Sequence, residues 1–417
     1  MMPNQQLIPK EVMQTLTYVL HNSKYYKKSL SGINFKQEDL SFHEWSNIPF
    51  TLKDDIAKNN LDFLSVPMTE IADIVTTSGT MGDPVTVYLS RSDLKRLALN
   101  ERDSLSLAGV REGDLVQLMT TIDRQFMAGI AYYLGVQELK AGIIRIGPGL
   151  PELQWSSIIN NKPRVLIAVP SFILILIDFA KKHGINLHDT SVESIVCIGE
   201  SIRDDAFHLN VLGKRITNDW DVNLFSTYAC TEMATAFTEC HAQQGCHLNE
   251  KLLFLEVVDE HGNEVGDGEE GEIVITTIAT TGTPLLRYKT GDIAKRFMQK
   301  CSCGNSAPRL GPIVGRKNQM IKYKGTTIFP QTLFDIFDNI EEVACYKIII
   351  SKDNFQNDQI TILLQKEILD TNIYKIIIEK CQSRLKVIPI FTFNELEIIQ
   401  AQVYKKNLRK PEKIVFI

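Results

Sequence analysis

The sequence predicts an α/β protein in two parts: a large N-terminal domain with parallel and mixed sheets over residues 1–315, and a small α+β domain over residues 316–417. Three observations predict it. Short β-rich runs alternate with helical patterns through the first two thirds of the chain, the order that parallel strands with crossover helices require. The stretch Leu252–Thr277 breaks that order, with two apolar runs around a turn-rich Glu-His-Gly-Asn segment, the mark of antiparallel pairing. After Gly315 the alternation restarts on a smaller scale.

In chain order, Leu115–Met119, Gly142–Ile146, Val165–Val169, Ile195–Ile198 and Asn223–Tyr228 read as strands. Ser90–Leu107, Phe126–Val136, Ser171–Lys182 and Arg203–Leu212 read as the helices between them. In the small domain Gln331–Phe337 and Asn372–Leu385 read as helices, and Cys345–Ser351 and Gln359–Gln365 as strands. The boundary is expected near Arg316–Gln319.

A chain of 417 residues, 44% of them hydrophobic, can bury a large core, and a net charge of -5 offers no basic face for nucleic acid. The N-terminus lacks the apolar run of a signal peptide, and apolar stretches such as Val165–Ile177 are too short and interrupted to span a bilayer. A soluble, cytoplasmic protein without nucleic-acid or membrane partners is expected. Cys240, Cys246, Cys301 and Cys303 fall in two tight groups, which in a long chain without a secretion signal suggests metal rather than disulfides. Cys197, Cys230, Cys345 and Cys381 read as ordinary thiols with no base partner.

Five strings carry chemistry. Thr76–Pro84 lies between the β-like runs Ile71–Thr77 and Val85–Leu89. Its Ser78, Gly79, Thr80 and Gly82 can wrap a phosphate with backbone N–H and hydroxyl donors, although a hairpin turn uses the same residues. Ile198-Gly199-Glu200-Ser201 follows a strand and equally suits a turn that Ser201 caps. In Ser226–Glu232, Tyr228 can stack on a purine, Thr231 can meet a phosphate, and Glu232 can hold Mg²⁺; a helix-capping Thr-Glu pair is the alternative. In Pro284–Asp292 the Asp292 carboxylate suits ribose hydroxyls, and Thr-Gly-Asp by itself also suits a solvated turn. Finally, Cys301-Ser302-Cys303-Gly304 supplies two thiolates that Cys240 and His247 can complete to a closed tetrahedral site, with Cys246 or His241 as substitutes; reduced surface thiols are the other reading.

In their order and spacing these strings resemble the adenylate-forming superfamily, in particular phenylacetate-CoA ligase-like proteins, and the resemblance runs from Pro49 to the tail. Pro49–Asp55 looks like that family's P-x-T-x-K-x-D segment, and Phe126–Gly135 is similar to its glycine-rich helix beside the acyl pocket. Gly199-Glu200-Ser201 resembles its adenine turn, Tyr228–Glu232 its Y-G-x-T-E with Ala229 for Gly, and Pro284–Asp292 its P-x-x-R-Y-x-T-G-D. Gly315–Met320 resembles the hinge segment, with Asn318 where the family has Asp; Asp83 replaces the usual loop Lys.

The resemblance implies an adenylate-forming domain with a small C-terminal lid, and a ligase that activates a small carboxylic acid with ATP and Mg²⁺ and transfers it to coenzyme A. Glu232 (on Mg²⁺) and Lys410 would be catalytic, with the neighbouring tail lysines Lys405 and Lys406 as bystanders. Ser78, Gly79, Thr80, Gly82, Gly199, Glu200, Ser201, Tyr228, Thr231, Asp292 and Arg316 would bind the nucleotide. Phe126, Gly129, Tyr132 and Tyr133 would line the pocket of an aromatic or apolar acid, and Asn318 would be the pivot. A structural zinc on Cys240, His247, Cys301 and Cys303 is implied as well, and a homodimer stays open. Two alternatives are transfer to a carrier-protein thiol and a catalytically silent nucleotide-binding homologue, the latter favoured by Asp83 and Asn318.

Overall fold

A computed structural model describes residues 7–33, 40–77, 85–340, 342–353, 358–369, 372–404 and 412–417. Ser78, Gly79, Thr80, Gly82 and Asp83 of the expected phosphate loop, and Lys405, Lys406 and Lys410 of the tail, lie outside the described residues. The chain forms two compact units, Met1–Ile313 and Val314–Ile417.

The first unit opens with helices α1 (Lys10–Asn22), α2 (Lys24–Ser29), α3 (Phe42–Ser46) and α4 (Lys53–Phe63). Strands β1 (Ile71–Thr76) and β2 (Thr86–Ser90) pair antiparallel, and α5 (Arg91–Leu107) follows. Then come β3 (Leu115–Leu118), α6 (Met127–Glu138), β4 (Gly142–Arg145), α7 (Pro151–Asn161), β5 (Val165–Ala168), α8 (Pro170–Lys182), β6 (Ser194–Cys197), α9 (Val211–Asp219) and β7 (Asn223–Cys230). These five strands run parallel in the order β4-β3-β5-β6-β7. Helices cover both faces, so the four residues of β5 are all buried and its sequence is uninterruptedly apolar. The sheet continues antiparallel through β8 (Thr235–Glu239), β9 (Cys246–His247), β13 (Arg309–Leu310), β12 (Tyr288–Phe297), β11 (Glu270–Thr277) and β10 (Leu253–Val258).

Two helices differ from expectation. The helix expected over Arg203–Leu212 begins only at Val211. Asp204 Oδ1 accepts the amides of Ala206 and His208 at 3.0 Å each, and Phe207 adopts φ 63°, so a side chain closes a local turn in place of the helix. Asn210 then caps α9 by accepting the Gly213 amide at 3.0 Å. Helix α7, unforeseen, starts at Pro151, whose fixed φ and missing N–H suit the first turn.

The glycines of α6 are required by packing. A Cβ at Gly129 would stand 1.9 Å from the Thr121 carbonyl oxygen, and one at Gly135 2.3 Å from the Glu101 Cβ. The close α5–α6 crossing buries Glu101, whose Oε1 accepts Asn100 Nδ2 at 3.2 Å while Oε2 has no partner among the described residues.

The second unit pairs Ile390–Asn394, Asp358–Gln365, Tyr346–Lys352 and Ile414–Phe416 in that order, with helices Pro330–Phe337, Asn372–Leu385 and Leu396–Val403. A hairpin joins Ile321–Tyr323 to Thr326–Ile328 over Lys324 and Gly325, both at positive φ. Arg316 ends the short strand Gly315–Arg316, and Asn318 lies exposed in a single 3-10 turn, Lys317–Gln319. Among the described residues no helix is long and apolar enough to cross a membrane.

One buried ion pair organises the first unit. Glu256 and Arg287 are 2% and 1% exposed at the side chain, with Arg287 Nη2 2.9 Å from Glu256 Oε1. Glu256 Oε2 also accepts the Trp45 indole N–H at 3.0 Å, and Arg287 Nη1 donates to the carbonyls of Ser46 and Ile48 at 2.6 Å each. Its guanidinium lies 4.2 Å from the Phe50 ring centroid. Removing one partner strands the other charge in the core, which costs about 3–5 kcal/mol. Arg287→Met is therefore expected to lower unfolding free energy by about that amount in urea titration; a loss within ordinary surface-mutation scatter would refute this role.

Burial pushes the Glu101 carboxyl up to about 7 from 4.5. Between those values the unfolded chain releases the proton and the folded chain keeps it, so stability falls as pH rises through this window. A rise of that size corresponds to about 3 kcal/mol. Glu101→Gln should remove the slope, so the stability difference between variant and wild type should grow from pH 4.5 to 7; a pH-independent difference would sink the assignment.

Candidate active site

Residues from β7 and β12 meet although three strands separate them in the sheet order. In a flat sheet four steps span about 19 Å. Here β9 and β13 are two residues each, the sheet folds back, and Tyr228 Oη donates to Asp292 Oδ2 at 2.9 Å. Gly291, at φ 79°, makes the local break that turns Asp292, whose amide donates to Thr290 Oγ1 at 3.1 Å. Burial, and next the Asp292 carboxylate, hold the Tyr228 phenol well above its usual range, so it is a donor.

Glu232 sits one turn beyond β7 in the 3-10 turn Thr231–Met233 and is 6% exposed. Its Oε1 accepts the Tyr288 hydroxyl at 2.9 Å and stands 3.3 Å from Lys53 Nζ. Burial, and then Glu232 itself, raise the Tyr288 phenol far above neutrality. The turn is pinned from behind: the buried Arg96 guanidinium donates to the carbonyls of Ala234 at 2.8 Å, Ile278 at 2.7 Å and Leu252 at 2.5 Å. Lys53 reaches Glu232 because Thr51 pairs with β12: the Thr51 amide donates to the Arg287 carbonyl at 3.1 Å, and the Lys289 amide to the Thr51 carbonyl at 3.0 Å. Lys53 sits in the string Pro49–Asp55 and Tyr288 in the string Pro284–Asp292, where residue type alone assigns neither a role; Arg96 lies in no such string.

The base of the expected phosphate loop is closed by Thr77, whose amide donates to the Val85 carbonyl at 2.9 Å and whose Oγ1 accepts the Val85 amide at 3.0 Å. The Thr76 amide donates to the Gln125 carbonyl at 3.0 Å, which brings this base to the N-terminus of α6. Of the expected pocket residues, Phe126 is partly exposed at that N-terminus and Gly129 packs on the Thr121 backbone. Tyr132 is buried beside Val196 and Phe225, and the Tyr133 ring lies 5.5 Å from the Arg145 guanidinium. The Gly199–Ser201 turn follows β6 with Gly199 at φ 73°. Glu200 accepts the Ser171 amide and hydroxyl at 2.8 and 2.9 Å, and Ser201 Oγ donates to the Arg203 carbonyl at 3.1 Å.

A second cluster lies on the same sheet. The donor atoms of Cys240, His247, Cys301 and Cys303 all lie within 4.8 Å of one another. Around one tetrahedral ion, with bonds of about 2.3 Å to sulfur and 2.0 Å to nitrogen, S···S and S···N separations are about 3.8 and 3.5 Å. Cys240 Sγ stands 3.7 Å from Cys301 Sγ, and Cys303 Sγ 3.5 Å from His247 Nε2, so the set fits such an ion. The Ala242 and Asn305 amides point at Cys240 Sγ and Cys303 Sγ at 3.4 and 3.5 Å. Cys246 and His241 are not among the four: Cys246 Sγ donates to the Ser226 carbonyl at 3.5 Å and His241 is exposed.

Fold and site together define a known class. The AMP-binding enzyme family matches residues 8–282, and the chain belongs to it. Within that class, the chain is 27% identical over 367 residues to a phenylacetate-coenzyme A ligase of Thermus thermophilus, covering 84% of this chain and 81% of the relative. It is 25% identical over 384 residues to the phenylacetate-coenzyme A ligase of Pseudomonas putida, covering 89% and 85%. Its fold is that of 2-hydroxyisobutyryl-CoA ligase in the postadenylation state in complex with R3-HIB-AMP, with a TM-score of 0.81 at 19% identity over 98% of this chain and 88% of that one.

Proposed function

We propose that this chain is an AMP-forming carboxylate–CoA ligase for a small aromatic or apolar acid. The carrying observation is two neighbouring contacts, Tyr228 with Asp292 and Glu232 with both Tyr288 and Lys53, which bring together an aromatic ring, two carboxylates and a cation. Its support is the family membership and the likeness to curated CoA ligases.

In the first half-step a carboxylate oxygen bonds to the α-phosphorus of ATP, the bond to the bridging oxygen breaks, and pyrophosphate leaves. In the second, the coenzyme A sulfur bonds to the acyl carbon, the bond to AMP oxygen breaks, and the thiol proton passes to solvent. Tyr228 offers its ring to the purine, and Asp292 accepts from ribose hydroxyls. The turn Gly199, Glu200 and Ser201 borders the adenine, Thr231 meets a phosphate, and Ser78, Gly79, Thr80 and Gly82 wrap the others.

Glu232 is one nearly buried carboxylate, and among the described residues no group of three or more acidic ligands surrounds it. That fits Mg²⁺, which takes one or two carboxylates plus substrate phosphates. When bound, the ion neutralises charge on the phosphates. Lys53 adds a cation at the same carboxylate, where the loop carries Asp83 in place of Lys. Lys410 of the tail is the proposed second cation, Arg316 a ribose or phosphate contact and Asn318 the pivot of the C-terminal unit. Phe126, Gly129, Tyr132 and Tyr133 are the proposed acid-pocket residues.

Pyrophosphate exchange with a panel of carboxylic acids tests the reading. Glu232→Gln should reduce Mg²⁺-dependent exchange to background, and Lys53→Ala should slow it by roughly 10² to 10³, the effect of losing one transition-state contact. Wild-type exchange in both folded variants would discard the site.

The second cluster is the proposed structural zinc site, closed by four protein ligands with no open position. About one zinc per chain is expected by elemental analysis, and Cys301→Ser with Cys303→Ser should abolish it. Zinc retained by the double variant would mean the ligands are misplaced.

A further inference from the structure

The residue before Cys240 is Glu239, which is 1% exposed and belongs to neither site. Its Oε1 accepts Arg203 Nε at 2.6 Å, and its Oε2 accepts the Ser226 amide at 2.8 Å. Arg203, also buried, donates from Nη2 to the Leu224 carbonyl at 3.1 Å and from Nη1 to the Phe207 carbonyl at 3.2 Å. One carboxylate therefore joins three segments. Arg203 is two residues beyond Ser201, whose hydroxyl donates to the Arg203 carbonyl at 3.1 Å. Ser226 is two residues before Tyr228 on β7. Cys240 is its covalent neighbour in the metal cluster.

We propose that the Glu239–Arg203 pair is a positioning device through which occupancy of the Cys240/His247/Cys301/Cys303 centre sets nucleotide affinity. The inference rests on the zinc and nucleotide readings above. An ion bonded to Cys240 holds the backbone at 239–240 in place. Without it, the four side chains have no common attachment, and the corner at Cys240 is held only by the β8–β9 ladder and by the Gln243 amide on the Cys240 carbonyl at 2.9 Å, which leaves room for a small displacement. Charge-assisted hydrogen bonds are short and directional, so a small displacement of Glu239 weakens both bonds together. A buried pair has no water to substitute for a lost partner, so the change propagates instead of being absorbed. It moves the inner side of the Gly199–Ser201 turn, while the outer side stays tied to Ser171 through Glu200. It also releases the Ser226 amide at the base of the Tyr228 strand. The adenine-facing elements should move, whereas Glu232, pinned by Arg96, and the acid side should not.

The test uses the full chain, zinc-loaded and then stripped with chelator under reductant. Binding of AMP and of a non-hydrolysable ATP analogue is measured by calorimetry, with zinc by elemental analysis and folding by circular dichroism. Wild type should lose roughly tenfold in nucleotide affinity on stripping, within the range such networks carry, and regain it when zinc is returned. Glu239→Gln should show that loss with zinc still bound, and stripping should add little more. Arg203→Lys, which keeps the charge but not the fork, should fall between the two. KM for the acid should be unchanged in all. A folded, zinc-loaded Glu239→Gln protein with wild-type affinity would overturn the proposal. So would an equal factor lost on stripping in variant and wild type, since the coupling would then bypass Glu239. Should Glu239→Gln fail to fold, Arg203→Lys is judged by the same two criteria. A purified chain that neither contains nor takes up zinc overturns the metal reading and this inference together; zinc present with unchanged affinities overturns this inference alone.

Discussion

The geometry of the candidate active site depends on the ion pair between Glu256 and Arg287. Both charges are removed from water, an expensive state that persists only when every polar atom finds a partner. Here Trp45, Ser46 and Ile48 supply those partners, and Phe50 covers the guanidinium. The N-terminal segment is thereby tied to the far end of the sheet. Thr51 then pairs alongside Tyr288, and Lys53 arrives at Glu232 as a consequence of backbone pairing two residues away. Arg287 lies within the string that ends in Asp292, but it acts in the core, while its neighbours Tyr288 and Asp292 face the site.

The hairpin of β7 and β8 unites the two centres. Tyr228 and Glu232 occupy its turn end, and Glu239 and Cys240 its open end. Register pairs Thr238 with His247 and Glu239 with Cys246, so one antiparallel ladder fixes the spacing of two of the cluster's ligands. The other two come from the tight turn between β12 and β13, where the Gly304 amide donates to the Cys301 carbonyl at 3.0 Å. The same sheet that gathers Tyr228, Glu232 and Asp292 gathers the thiols and imidazole of the second cluster a few residues away.

Much of this was legible because the elements involved have strong local causes. The run Val165–Ala168 is apolar throughout since helices cover it on both sides, and Cys-Ser-Cys-Gly makes a turn by itself. The helix expected over Arg203–Leu212 failed for an equally local reason, an Asp204 side chain that closes a turn, which periodicity does not register. No local feature of the sequence marks Glu101 for burial. Only the approach of Gly135 from α6 buries it.

Residue type and spacing were enough to read the alternation of strands and helices, the strings that carry Tyr228, Glu232 and Asp292, and the Cys and His residues from which the cluster is drawn, though not that Cys240 and His247 rather than Cys246 or His241 complete it. Local backbone preferences translate such patterns directly into structure. Which groups meet was settled by the packed chain alone. Lys53 and Glu232 are far apart in sequence, as are Arg203 and Glu239, and Tyr228 and Asp292 belong to strands separated by three others. Their contacts depend on how the sheet folds back and on which charges are buried together, and no local preference along the chain encodes either.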